Sequence, residues 1–412
     1  MRSNDLIHFC PPGRLILGCG TRHQLPALVQ RMGWRTGLLV TDRFFAEHTP
    51  WVRDYVSAAS ALGIHTEVYD GGMADPSTTL CDEATQAMRL RFAGRLPDHV
   101  VALGGGSNID LAKALCLTLP TGRPVRDFVG DIGSLVPLPM VAIPTTSGTG
   151  SEATPGAILV DPENATKVAV MDNRLRPQIA LIDPELSYTC PPRVTADAGI
   201  DAFTHAVESW LTMDSWAFDR AGHPDPGYSG RSSLTMLFAR ESTRLCIAWM
   251  ERAYQNGQDQ DARIGMAYAS IYAGLSYGSA GLNAVHGAAY AVAGITHKSH
   301  GSTNAVMLPY VLDALRDTRR DELLEMGRML GLGDGSAEAV LDAVPQRVRD
   351  MVGRLGIPTN LRDFGIAESD LPALTRDALA VTRLAKAFPV PDVEAAYDRI
   401  VRNAFHGVLS GG

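Results

Sequence analysis

Asp201 and His205 stand four residues apart in Asp201-Ala-Phe-Thr-His205, and two further histidines follow far downstream in Val285-His286-Gly287 and Ser299-His300-Gly301. On a helix the i, i+4 spacing puts both members of the first pair on one face, one turn apart. One carboxylate and three imidazoles make a suitable shell for a divalent first-row metal. No side chain in these motifs is an obvious covalent nucleophile, so such a centre would act as a Lewis acid on a substrate oxygen. The alternative is that Asp201 is a helix-surface charge and the histidines are unrelated core or surface residues.

A second group of residues suits an anionic ligand. Gly104-Gly105-Gly106-Ser107-Asn108 follows an apolar run and opens a helical stretch that contains Asp110. Glycines let the backbone approach a pyrophosphate closely, and the free N–H groups of a first helical turn bind its charge. The segment is neither the G-x-G-x-x-G nor the G-x-x-x-x-G-K-S/T pattern, and a plain tight turn is the alternative. A second polar loop, Thr145-Thr146-Ser147-Gly148-Thr149-Gly150-Ser151, follows another apolar run. Ligands of open α/β sheets bind at the C-terminal ends of strands, so two such loops reinforce each other. Asp42 ends an early apolar run, where an acid can hold a ribose diol. It would then favour NAD(H) over NADP(H), because a 2′-phosphate would meet its charge. As an alternative, Asp42 is a helix N-cap.

The elements that must position these residues follow from periodicity. Apolar runs at 36–42, 65–69, 99–103, 140–143 and 178–182 alternate with helical patterns at 52–62 and 80–92. That alternation predicts a mostly parallel sheet covered on both faces. Beyond about residue 190 the texture becomes helical, at 195–210, 233–255, 261–277, 321–330 and 337–355, with a turn-rich loop at 223–230. The predicted division is an α/β half over 1–187 and a mainly helical half over 188–412.

The chain has 412 residues, 45% hydrophobic and 20% charged, with net charge −8. That is enough for two cores, and the acidic balance argues against nucleic acid or an anionic membrane as main partner. Six scattered cysteines form no C-x-x-C pair, so neither a thiolate zinc site nor a disulfide framework is indicated. No signal-peptide pattern or bilayer-length apolar run is visible. The expected setting is a reducing cytoplasm, with a small-molecule substrate, no nucleic-acid or membrane partner, and a homodimeric state.

Taken together, Gly104-Gly-Gly-Ser-Asn-Ile-Asp-Leu-Ala-Lys113, Pro144-Thr-Thr-Ser-Gly-Thr-Gly-Ser-Glu152, Asp201-Ala-Phe-Thr-His-Ala-Val-Glu208, Val285-His-Gly and His300-Gly-Ser-Thr-Asn-Ala resemble the iron-containing (group III) alcohol dehydrogenase family, in the same order through nearly the whole chain. The resemblance implies the dehydroquinate synthase-like architecture of an α/β dinucleotide-binding domain followed by an all-helical domain. It also implies that Asp201, His205, His286 and His300 bind Fe²⁺, with Zn²⁺ as an alternative, and that NAD(H) or NADP(H) is the cofactor.

The chain departs from the family pattern in four places. Tyr290 stands where many members carry a histidine near the nicotinamide, so a phenol would relay the proton or simply pack. Asp75-Pro76-Ser77 replaces Asn-Pro-Thr, which puts a carboxylate near the nicotinamide ribose or at a helix cap. The segment 213–232 is longer than usual. His297 and Lys298 add donors and positive charge just before His300, where they would recognise an anionic group on the substrate or lie in a solvated loop.

The expected activity is that of a metal-dependent NAD(P)(H) alcohol dehydrogenase or aldehyde reductase. Its expected substrate is a small aldehyde with an anionic head such as a phosphonate or carboxylate. Phosphonate-aldehyde reductases occur in the family, which supports that substrate by analogy. A neutral short-chain alcohol or diol is the alternative substrate. Another class, a dehydroquinate synthase-like lyase, would need several basic residues in the helical domain, and lysine occurs only at Lys113, Lys167, Lys298 and Lys386.

Overall fold

A computed structural model describes residues 5–164, 166–333 and 335–410 of the chain. The chain folds as two units. One comprises Cys10–Cys190 with Asp225–Gly227. The other comprises the segment up to Phe9, Pro191–Pro224 and Tyr228–Gly412. The division therefore falls just after Cys190, and residues 5–9 pack with the helical unit. There Leu6 N donates to Ser215 Oγ at 3.2 Å, and Phe9 stacks on Phe238 with ring centroids 5.7 Å apart.

The first unit is built on a six-stranded sheet. Its strands are β1 (Leu15–Leu17), β2 (Thr36–Asp42), β3 (His65–Gly72), β4 (His99–Gly104), β5 (Met140–Pro144) and β8 (Ile179–Ile182), in the spatial order β1-β8-β5-β4-β2-β3. Every pairing is parallel. Every residue of β4, β5 and β8 is buried. Burial on both faces is why these strands read as unbroken apolar runs rather than alternating ones. The chain runs outward from β2 to β3 and then returns to the other side of β2 as β4. The C-terminal ends of β2 and β4 therefore form a topological switch point, where open α/β sheets bind ligands. A separate antiparallel hairpin, β6 (Gly156–Asp161) with β7 (Thr166–Met171), was not predicted.

The second unit is helical. Its largest elements are Pro192–Leu211, Ser233–Gln255, Gln260–Ala280, Ala284–Thr296, His300–Ala314, Ala337–Arg354 and Val393–His406. One continuous core unites them, with Phe203, Trp210, Val285, Leu308, Leu361 and Tyr397 essentially inaccessible. Pro192–Leu211 is buried along most of its length and packs against Ser233–Gln255, Gln260–Ala280 and His300–Ala314. Its polar residues therefore lie in the interior and must find partners there. Among the described residues no helix is long and apolar enough to cross a membrane.

Candidate functional site

Asp201 and His205 project from the Pro192–Leu211 helix, His286 from the first turn of Ala284–Thr296, and His300 from the first residue of His300–Ala314. The structure brings all four together, each with a ligand atom within 4.8 Å of those of the others. Asp201, His205 and His286 are buried, and His300 is partly exposed. His205 and His286 turn their Nε2 atoms toward each other at 3.1 Å. Asn304, one turn after His300, directs its Nδ2 at the same point. It lies 2.8 Å from Asp201 Oδ1, 3.1 Å from His286 Nε2 and 3.3 Å from His300 Nε2. The Oδ1 of Asn304 is buried without a partner. A carboxylate oxygen and several imidazole lone pairs thus converge on one small volume, and that donor set fits a divalent cation.

The electrostatics suit the same occupant. Burial, modified by Asp201 and Arg383, pushes the His286 imidazole down to about 4, so it is neutral and free to ligate at physiological pH. Burial alone would raise the Asp201 carboxyl, but His205, His300, His286 and the Asn304 amide hold it below the usual carboxylate range. Behind His286 stands Glu208, which sequence reasoning quoted but did not single out. Its Oε2 bonds His286 Nδ1, while Oε1 accepts from Val285 N at 2.7 Å and from Asn283 N at 3.2 Å. A carboxylate on the far nitrogen fixes the tautomer that presents Nε2 to a metal. Burial pushes Glu208 up to about 8, and a divalent cation at the ligand cluster would favour its ionised form. Its position three residues after His205, on the same helix face, was the available signal.

Aromatic rings flank the ligands. Tyr277 stacks on His205 at 4.2 Å, and Tyr290 stacks on His300 at 5.7 Å. Tyr277 and Leu282 pack with Leu384, and Tyr290 and Val381 lie against them. Lys298, expected with His297 to face a substrate, is engaged elsewhere. His297 is an exposed C-cap with φ of 52°. The Lys298 Nζ donates to Phe364 O at 2.6 Å and lies 4.1 Å over the Phe364 ring, so its charge is spent on local structure.

In the α/β unit, Gly104 ends β4 and the helix Gly106–Thr121 begins without a side-chain cap. Gly104 has φ of +147°, and a Cβ there would lie 2.1 Å from Asn108 Nδ2; one on Gly106 would lie 2.6 Å from Thr149 Cγ2. Gly105 lies beside Thr146. Thr145 N donates to Gly104 O at 3.0 Å, so the two polar loops abut at the ends of adjacent strands. Thr145 is buried, whereas Thr146, Ser147 and Thr149 are partly exposed. Uncapped helical N–H groups behind a side-chain-free turn fit a pyrophosphate.

Asp42 does cap the helix Arg43–His48, through Phe45 N at 3.3 Å, and its other oxygen accepts from Asn108 Nδ2 at 2.8 Å across the switch point. Asp75 takes a left-handed φ of 48° and pairs with Lys167 at 2.6 Å, and its backbone N–H donates to Ser107 Oγ at 3.3 Å. Asp110 accepts from Ser151 Oγ at 2.6 Å and from Ile158 N at 3.0 Å. It thereby braces the second loop against the hairpin.

Residues 12–184 match the family model for iron-containing alcohol dehydrogenase, and residues 228–401 match that for the Fe-containing alcohol dehydrogenase family, C-terminal. Long-chain-alcohol dehydrogenase 1 of Geobacillus thermodenitrificans is 34% identical over 400 residues, 95% of each chain. The chain belongs to the iron-containing alcohol dehydrogenase family. Lactaldehyde reductase of Escherichia coli K12 is 31% identical over 367 residues, covering 88% of this chain and 90% of that one. The solved structure of a 1,3-propanediol oxidoreductase superposes with a TM-score of 0.86 at 26% identity, covering 97% of this chain and all of the other. As an iron-type alcohol dehydrogenase, the protein is an oxidoreductase.

Proposed function

We propose that the protein is a metal-dependent, NAD(P)(H)-linked alcohol dehydrogenase or aldehyde reductase acting on small substrates. The observation that carries this reading is the convergence of Asp201, His205, His286 and His300, with Glu208 behind His286. In such a protein Fe²⁺, or Zn²⁺, supplies Lewis acidity and the nicotinamide supplies or accepts hydride. Asp201 and the three imidazoles would hold the metal, and Glu208 keeps His286 in the ligating tautomer. Tyr277, Leu282 and Leu384 form an apolar wall that excludes water from one side of the ligands. Tyr290, half-buried against His300, would be placed to relay a proton.

Gly104–Asn108 and Thr145–Thr149 would cradle the pyrophosphate, and Asp42 would favour NAD(H) by opposing a 2′-phosphate. The relatives' names point to substrates as different as long-chain alcohols and lactaldehyde, so membership in the family does not choose among them. The test is NADH and NADPH oxidation by anaerobically prepared protein with Fe²⁺ or Zn²⁺ restored, over neutral, carboxylated and phosphonylated short aldehydes. Metal- and aldehyde-dependent NADH oxidation is expected. No oxidation with any aldehyde would contradict the reading.

A further inference from the structure

Glu208 holds one member of the ligand set from behind. Asp201 needs a comparable hold, because its carboxylate is buried and its last torsion is soft. The imidazoles do not provide it. His205 Nδ1 stands 3.8 Å from Asp201 Oδ2, while His286 Nε2 and His300 Nε2 stand 3.8 and 3.9 Å from Oδ1. Those separations are too long for hydrogen bonds. The Nδ2 of Asn304 lies 2.8 Å from Oδ1, and among the described residues it is the one hydrogen-bond donor to that carboxylate. Oδ1 is also the oxygen that faces His286 and His300.

The chemistry of the cluster fixes which way the Asn304 amide points. Asn304 is inaccessible, and on its helix it precedes Ala305, Val306, Met307 and Leu308, which join the helical core. Turned over, its oxygen would meet the Asp201 carboxylate at close range. As it stands, one amide hydrogen serves Asp201, and the other lies near His286 Nε2 at 3.1 Å and His300 Nε2 at 3.3 Å. The amide oxygen is left buried without a partner. Interiors seldom strand an acceptor, and asparagine is a poor residue for the body of a helix. The contacts of the nitrogen therefore set the orientation of this side chain, and the surrounding core does not.

We infer that Asn304 is the positioning residue of Asp201, as Glu208 is of His286, and that its amide sets how tightly the four side chains hold a divalent cation. This rests on the metal-dependent reading above. The N–H fixes the rotation of the carboxylate so that Oδ1 faces the two Nε2 atoms, and it leaves a lone pair of that oxygen for a cation.

The test is a double-mutant cycle on metal affinity. Wild type, Asn304→Leu, Asp201→Ala and the double variant are titrated with Zn²⁺ against a competing chelator. Each is also loaded with Co²⁺, whose visible absorption reports the geometry of its ligands. Leucine keeps the branched shape of asparagine and removes the donor. Asn304→Leu should weaken Zn²⁺ binding by about 10–100-fold and shift the Co²⁺ bands, with the circular dichroism kept. In the Asp201→Ala background the same replacement should change affinity by no more than about twofold, because the partner through which it acts is gone. Should Asn304→Leu not fold, Asn304→Ala, which removes the donor without apolar bulk beside the carboxylate, is read in the same cycle. An unchanged Zn²⁺ affinity, or an equal loss in both backgrounds, would overturn the inference while leaving the metal reading in place. A wild type that binds neither Zn²⁺ nor Co²⁺ would overturn the metal reading, and the inference with it.

Discussion

Glu208 and Asp42 both act through the partners that hold them. Glu208 has three, and the one that matters for a metal is His286 Nδ1. Replacing Glu208 by Gln keeps the volume but removes the carboxylate that, ionised beside a bound cation, would make Nε2 a stronger ligand. Carboxylates in this position typically contribute 10–100-fold in metal affinity. Glu208→Gln should therefore weaken Fe²⁺ or Zn²⁺ binding by about 10–100-fold in a competitive chelator titration, and an unchanged affinity would leave Glu208 a packing residue. Asp42 caps a helix and accepts from Asn108. If it also repels a 2′-phosphate, Asp42→Gly should raise the NADPH/NADH efficiency ratio about tenfold, equivalent to about 1.4 kcal/mol, with little loss of stability, since glycine is a tolerable cap. An unchanged ratio would confine Asp42 to the cap and the Asn108 bond. The clustering of Asp201, His205, His286 and His300 was legible because the i, i+4 pair and its family context are local signals. The contacts of Glu208 with Asn283 and Val285 were not, because only the folded chain brings residues about 75 positions apart together.

At the scale of elements, the two polar loops depend on a buried lysine. Lys113 is inaccessible, and its Nζ donates within 3.1 Å to Ser151 O and Oγ, Thr154 O and Oγ1, and Gly156 O. It ties the helix Gly106–Thr121 to the end of the second loop and to the start of β6. Removing one partner from such a network strands several acceptors, at about 1–3 kcal/mol for each that water cannot reach. Lys113→Met should cost about 3 kcal/mol or more in denaturant unfolding, and a loss under about 1 kcal/mol would show that the loop holds itself. The strands of the sheet were legible because burial on both faces leaves unbroken apolar runs, as in β4 and β5. Ala284–Thr296 was not, because a helix of Ala, Gly and Val buried through its first turns has little polar face to produce a period. The hairpin β6–β7 was also missed: alternate residues of β6 are buried, but its short run follows directly on the polar loop. Thr382–Ala385, which carries Arg383, spans four residues, too few for any pattern.

For the whole molecule, each unit has its own core, so ligation should be felt locally. The four candidate ligands come from three helices of one unit. Binding to the folded state alone stabilises it by about 2.7 kcal/mol at a hundredfold excess over Kd. Chelation should therefore raise amide exchange in Pro192–Leu211, Ala284–Thr296 and His300–Ala314, with little change in β2, β4 and β5. Uniform acceleration across the chain would contradict a local metal centre. The central claim is that these four side chains hold a metal on which turnover depends. It is tested most directly by metal analysis and aldehyde-dependent NADH oxidation of anaerobically prepared wild type and His286→Ala. One ion per chain and turnover in the wild type, both lost in the variant while its circular dichroism is kept, are predicted. A variant that retains its ion and its rate would contradict the account.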